Sequence, residues 1–265
     1  MKIARLIASG AVLAILAACG GGGGDSGSPN ASEPGQPDEV IPTPTPVPDN
    51  GFVKSENMAY VLAGPNGGSY GGFDHTVPFV DGVYRDFYTI VFSDDTQVVQ
   101  KFEAPAYAMG SFSNGSYTTY KDLTPVAIGA DQRWYYVAYN RLESLPNTTA
   151  VFTCTGQFLE SMNKGVKAHV TGQASLSLAA GVAAVNVQLS IAPENGTAPV
   201  DISATKSIPS SNVRYGQFLN NTIDKKFAGV ALGKGVDNGY VIVTSWEMEE
   251  SYLSWFKGAA VFDCR

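Results

Sequence analysis

Side chains able to carry chemistry are few in this chain of 265 residues, which holds two histidines, His75 and His169, and three cysteines. His75 stands in Gly71-Gly72-Phe73-Asp74-His75-Thr76, and a loop of glycine and aromatic residues can wrap a haem whose iron an imidazole ligates. It is the candidate haem ligand, with a loop histidine bonded to nearby polar groups as the alternative. His169 shares a predicted strand face with Thr171, Gln173 and Ser175, which places it in solvent. Two separated cysteines, Cys154 and Cys264, remain once Cys19 is set aside, and an even remainder in an exported chain is expected to pair as a disulfide. Both follow a phenylalanine by two residues, in Phe152-Thr153-Cys154 and Phe262-Asp263-Cys264, so in strands each sulfur faces the same way as its phenylalanine. A zinc site is the rival, but it needs about four clustered ligands, so no metal is read.

Acid–base chemistry has weaker support. The acidic groups Asp94-Asp95 and Glu247-Met248-Glu249-Glu250 suit turns and a solvated rim, whereas glycosidase carboxylates need a fixed separation that adjacency does not supply. For a serine triad no nucleophile elbow stands out, and two histidines leave few bases. Gly20 to Gly24 lacks the lysine and the strand–helix setting of a phosphate loop. The chain is read as a binding protein and not an enzyme, with a carbohydrate-active β protein kept as an alternative. Aromatic side chains concentrate in Trp134-Tyr135-Tyr136-Val137-Ala138-Tyr139 and Tyr252-Leu253-Ser254-Trp255-Phe256. In the first, Trp134, Tyr136 and Ala138 share one face and Tyr135, Val137 and Tyr139 the other. Strand packing explains this, and so does an interface; Trp134 and Tyr135 are the candidate partner contacts.

The third cysteine sets the compartment. Lys2 and Arg5 precede an apolar run from Leu6 to Leu16 that is too short to span a bilayer, the pattern of a signal segment. Leu16-Ala17-Ala18-Cys19 resembles the bacterial lipobox, so residues 1–18 read as a signal peptide and Cys19 as the acylated (palmitate-bearing) first residue. Each buried methylene favours attachment by about 0.8 kcal/mol, so the lipid anchors the chain without spanning the membrane. Gly20 stands where some bacteria place a retention aspartate, which points to the outer membrane. An ordinary secretory signal is the alternative. The net charge of −7 and pI near 4.8 argue against nucleic acid and against a polybasic membrane patch.

The elements that must position these residues are strands. Residues 19–50 are glycine-rich and then proline-rich, unable to bury a core, and read as a disordered tether. Residues 51–140 hold short strand runs between Gly and Asn turns, including a hairpin with Phe87 to Phe92 and Gln97 to Phe102 flanking Ser93-Asp94-Asp95-Thr96. From Val170 the apolar residues Val170, Ala174, Leu176 and Leu178 alternate with polar ones. Beyond Ala179-Ala180-Gly181 the pattern resumes with Val185, Val187, Leu189 and Ile191, which predicts a hairpin with one apolar face. Phe227 to Leu232 and Gly239 to Trp246 form another, and a last strand carries Ala260, Phe262 and Cys264. Such strands remove their edges by closing into a barrel, whose first and last strands would meet at Cys154 and Cys264; a sandwich is the rival.

Several pieces of residues 141–265 carry a family likeness: Leu145 to Gly156, containing Phe152-Thr153-Cys154-Thr155-Gly156; Gly172-Gln173-Ala174-Ser175-Leu176; a valine-rich return strand; and Gly258-Ala259-Ala260-Val261-Phe262. In order and texture they resemble the β-barrel domain of transferrin-binding protein B and its surface-lipoprotein relatives, the haemophilin and haemoglobin-receptor lipoproteins. The opening at Cys19 and Gly20 to Gly24 is similar too. The resemblance implies an all-β chain, an amino-terminal β handle over 51–140 and an eight-stranded antiparallel barrel over 141–265. It further implies display at the cell surface for binding a host protein or haem in iron acquisition, with an outer-membrane receptor or secretion factor as a further partner. No binding residue is carried over from it. A periplasm-facing structural lipoprotein of the envelope is the alternative.

Overall fold

β-branched and aromatic runs broken by Gly, Asn and Asp turns fold here as strands throughout. The computed structural model describes residues 51–65, 67–74, 76–214, 217–219, 226–251 and 254–265. Cys19, the tether and His75 lie outside them. The described residues all lie in one compact unit.

The first ten strands are β1 (Asn57–Gly64), β2 (Gly67–Asp74), β3 (Phe79–Val80), β4 (Val83–Tyr84), β5 (Ile90–Phe92), β6 (Gln97–Ala104), β7 (Tyr107–Ser113), β8 (Gly115–Thr119), β9 (Val126–Ile128) and β10 (Trp134–Asn140). Five of them make an antiparallel sheet in the order β2-β1-β10-β7-β6, while β3-β4 and β5-β8-β9 are smaller sheets. The last to form in sequence, β10, slots between β1 and β7. A central strand packed on both faces reads as a continuous apolar run, and every residue of β10 is buried.

The remaining strands are β11 (Ala150–Phe158), β12 (Ser161–Asn163), β13 (Val166–Ala179), β14 (Val182–Pro193), β15 (Val200–Pro209), β16 (Gln217–Leu219), β17 (Lys226–Lys234), β18 (Tyr240–Ser251) and β19 (Ser254–Cys264). Their hydrogen-bonded path is β15-β14-β13-β11-β19-β18-β17-β16, with β12 added on β13. β15 comes back against β17, so the sheet is a nearly closed antiparallel barrel. The predicted alternation holds: Val170, Leu176, Leu178, Val185, Val187, Leu189 and Ile191 are buried in its core. Ala180 and Gly181 turn the β13–β14 hairpin at φ of 50° and 75°, the mirror-image turn that suits strand twist.

Three cores follow from these sheets. One fills the barrel. A second, rich in Phe and Tyr, lies between the five-stranded sheet and the smaller sheets that cover it. The third joins the other face of that sheet, through Tyr135, Val137 and Tyr139, to Val241, Val243, Ala259 and Val261 on the outside of the barrel. The five-stranded sheet is thus a filling between two layers.

The expected hairpin of Phe87–Phe92 with Gln97–Phe102 does not form. β5 pairs with β8 and β6 with β7. Side chains redirect the connection: the hydroxyls of Ser93 and Thr96 each donate to the Ser116 carbonyl at 2.8 Å, and Arg85 donates to the carbonyls of Ser93 and Thr96 at 2.8 and 3.0 Å. Ser93 to Thr96 therefore bridges two sheets.

Candidate functional site

Apolar exposure is distributed unevenly. Of the twelve large hydrophobic side chains exposed among the described residues, eleven precede Asn140 and the barrel contributes Val151. Scattered apolar residues need no explanation, but clustered ones mark interaction surfaces. Val80, Val91, Val98 and Val99 are all exposed and line one groove of about 710 Å³ on the handle.

Each valine is put there by local chemistry. Val80 ends β3 beside a tight turn in which Asp81 and Gly82 both take positive φ, 51° and 75°. Lys101 Nζ donates to the Asp81 carbonyl at 2.7 Å and ties this hairpin to β6. β6 is the outer strand of its sheet, and a register shift between Val98 and Gln100 inserts one extra residue. Such a bulge breaks the alternation, so the adjacent Val98 and Val99 both face solvent. Val91 reaches the groove from β5.

The rim is acidic. Asp81, Asp86 and Asp94 are exposed around the groove. Arg85 does not balance them, because its guanidinium serves the two loop carbonyls and sits 5.7 Å from the Phe112 ring centroid. Lys101 is the other cation of the groove.

A second apolar patch adjoins it. Tyr88 is 75% exposed and adopts φ of 59°. A bulky residue in that region costs about 1–2 kcal/mol, which its surroundings offset: the Asp86 carboxylate accepts from Tyr88 N–H at 3.0 Å, and the ring stacks on exposed Tyr120 at 6.2 Å. Asp86 thus both lines the groove and holds Tyr88 in place.

The residues read from sequence fall elsewhere. Cys154 and Cys264 are bonded, between β11 and β19. Trp134 and Tyr135, expected as partner contacts, are 2% and 0% exposed and present no surface to a partner. The reason is the insertion of β10 in mid-sheet: Trp134 packs on Phe92 and Tyr117, and Tyr135 faces the barrel. His169 is exposed, as its strand face predicted. His75 and Cys19 lie outside the described residues. Gly67-Gly68-Ser69-Tyr70-Gly71 has the spacing of a nucleophile elbow that the sequence reading passed over. Ser69 lies within strand β2 and not at a strand-to-helix turn, and its hydroxyl accepts from Thr89 at 3.2 Å. The groove was missed as well, although the consecutive Val98-Val99 in an otherwise alternating run was its visible sign. Compared with protein-family models, curated proteins and solved structures, the chain finds no match in any of the three.

Proposed function

We propose that this chain is a lipid-anchored surface protein of the bacterial outer membrane that binds a host protein, with the handle groove as its docking site. The observation that carries this reading is the concentration of exposed valines between an outer strand and an acidic rim. An outer strand with apolar side chains beside it accepts an extended segment by strand addition, in which backbone bonds give affinity and side-chain pockets give selectivity. The three rim aspartates favour a segment with basic residues flanking its apolar ones. The lipobox-like Leu16 to Cys19, the glycine- and proline-rich segment after it and the barrel support the resemblance to surface lipoproteins of the transferrin-binding protein B type.

The test uses octapeptides, matched to the eight residues of β6, that alternate Val with Lys or Val with Glu, followed by fluorescence anisotropy on the purified chain. The Lys series is expected to bind and the Glu series not, with binding lost in Val99→Asp and Val80→Asp at unchanged melting temperature. Equal binding of both series, or of both variants, refutes the groove. Display is tested separately by protease on intact cells: a chain cleaved only after the outer membrane is broken faces the periplasm and belongs to the structural alternative.

A further inference from the structure

We infer that a second site, for the carboxylate or phosphate of a small ring-bearing molecule, lies beside Arg141 where the handle meets the barrel. This inference is independent of the groove. Arg141 directly follows β10, and its backbone is fixed from both sides: its N–H donates to the Asn57 carbonyl at 3.0 Å, and it bridges to Gly233 of the barrel strand β17. The side chain extends to the outer strand β2 and lies on bare backbone, since a Cβ placed on Gly72 would stand 1.9 Å from Nη2. A side chain at Gly72 would push the guanidinium end out of this position.

Among the described residues that guanidinium has no hydrogen-bond or ion-pair partner. Among the described arginines, Arg133 is buried and Arg85 and Arg141 are partly buried. Arg85 bonds two carbonyls, and Arg133 pairs with Glu160 at 3.2 Å. Arg141 Nε is buried without a hydrogen-bond partner, and among the described residues no carboxylate pairs with its side chain. A partly buried cation with an unpaired, buried Nε gains from a ligand that supplies negative charge.

The space for a ligand is present. Arg141 forms the wall between a hollow of about 300 Å³, lined by Tyr60, Tyr70, Gly71, Tyr139 and Arg214, and one of about 370 Å³ beside Glu56 and Phe73. The first hollow joins a second guanidinium to three tyrosines and bare glycine backbone, and Gly71 lies close against the Tyr60 ring, which a Cβ would approach to 3.1 Å. Guanidinium groups match the two oxygens of a carboxylate or phosphate, and tyrosine walls suit a flat ring. The size of the hollow limits the ligand to a small molecule.

The purified full chain is titrated with phenyl phosphate, benzoate and the neutral benzamide, read by calorimetry and by melting temperature. Phenyl phosphate or benzoate is expected to bind and benzamide not, and the tighter of the two identifies the headgroup. Arg141→Gln should weaken binding about ten- to a hundred-fold, the loss of a charge-assisted hydrogen bond in a sheltered site. Gly72→Ala, which displaces the guanidinium, should weaken it at an unchanged net charge. Binding that survives both variants, equal binding of benzamide, or no binding of either anion overturns the site.

Discussion

Cys154 lies directly across from Cys264, and at that residue β11 changes partners: Ala150 to Thr153 pair with β13, whereas Cys154 to Phe158 pair with β19. The neighbouring Thr153 and Arg265 exchange two backbone hydrogen bonds at 2.9 Å. The cysteines therefore occupy the adjacent non-hydrogen-bonded position, where facing Cα atoms come closest and side chains meet. The disulfide sits at the one place where the first barrel strand leaves one neighbour for another.

Removing it should cost stability more than structure. The bond closes a separation of 110 residues, and its loss in a Cys154→Ser, Cys264→Ser chain is expected to cost about 2–5 kcal/mol. Urea unfolding of oxidised and reduced chain measures this directly. Coincident curves would mean that the seam is held by its hydrogen bonds alone.

Trp134 gives the second prediction. It packs on Phe92 and Tyr117 and lies so close over Gly64 that a Cβ there would stand 2.1 Å from its ring. Trp134→Ala should destabilise the fold by about 3–5 kcal/mol, and Gly64→Ala by about 1–3 kcal/mol through overpacking. Thermal melts with near-ultraviolet circular dichroism check both. A Trp134→Ala chain with an unchanged melting temperature would place the indole outside the core.

The barrel was legible because its strands have one wet face: the alternation from Val170 to Ile191 encodes register, inward face and turn together. The handle was less so. In β10 both faces are buried, so alternation carries no information about which side is free, and Trp134 and Tyr135 look equally like core and interface. The Ser93 to Thr96 connection has hairpin composition, and its two hydroxyls do meet at 3.0 Å, but both also donate to the Ser116 carbonyl, a long-range choice that no local pattern records. Arg141 is silent in sequence for the same reason, since the strand that exposes its guanidinium to a hollow is about seventy residues away.

A polar link between handle and barrel yields the third prediction. Arg133, 6% exposed, pairs with Glu160, which also pairs with Lys167 at 3.2 Å. Removing the carboxylate leaves a buried cation, though Glu160 itself is partly solvated, so Glu160→Ala is expected to cost about 1–3 kcal/mol. Glu160→Gln, which keeps an acceptor, should cost less. Urea midpoints of the two variants decide it, and equal values would show that the charge contributes nothing.

Alkaline pH should unfold this chain through its buried tyrosines. Burial pushes Tyr135 up to about 12 although its hydroxyl accepts a hydrogen bond from Met162 N–H at 2.8 Å, and burial raises Tyr84, Tyr136 and Tyr139 as well. An unfolded tyrosine loses its proton near pH 10, so between about pH 10 and 12 the native state holds more protons than the unfolded one and stability falls as pH rises. Below pH 10 the contribution is fully present. For Tyr135 alone the loss across that window approaches about 2–3 kcal/mol. Urea midpoints should be level from pH 7 to 9 and decline above. Tyr135→Phe should begin lower, by about 1 kcal/mol for the lost hydrogen bond, and decline less steeply. A variant that declines as steeply as the wild type would mean that the Tyr135 hydroxyl reaches solvent before the fold opens.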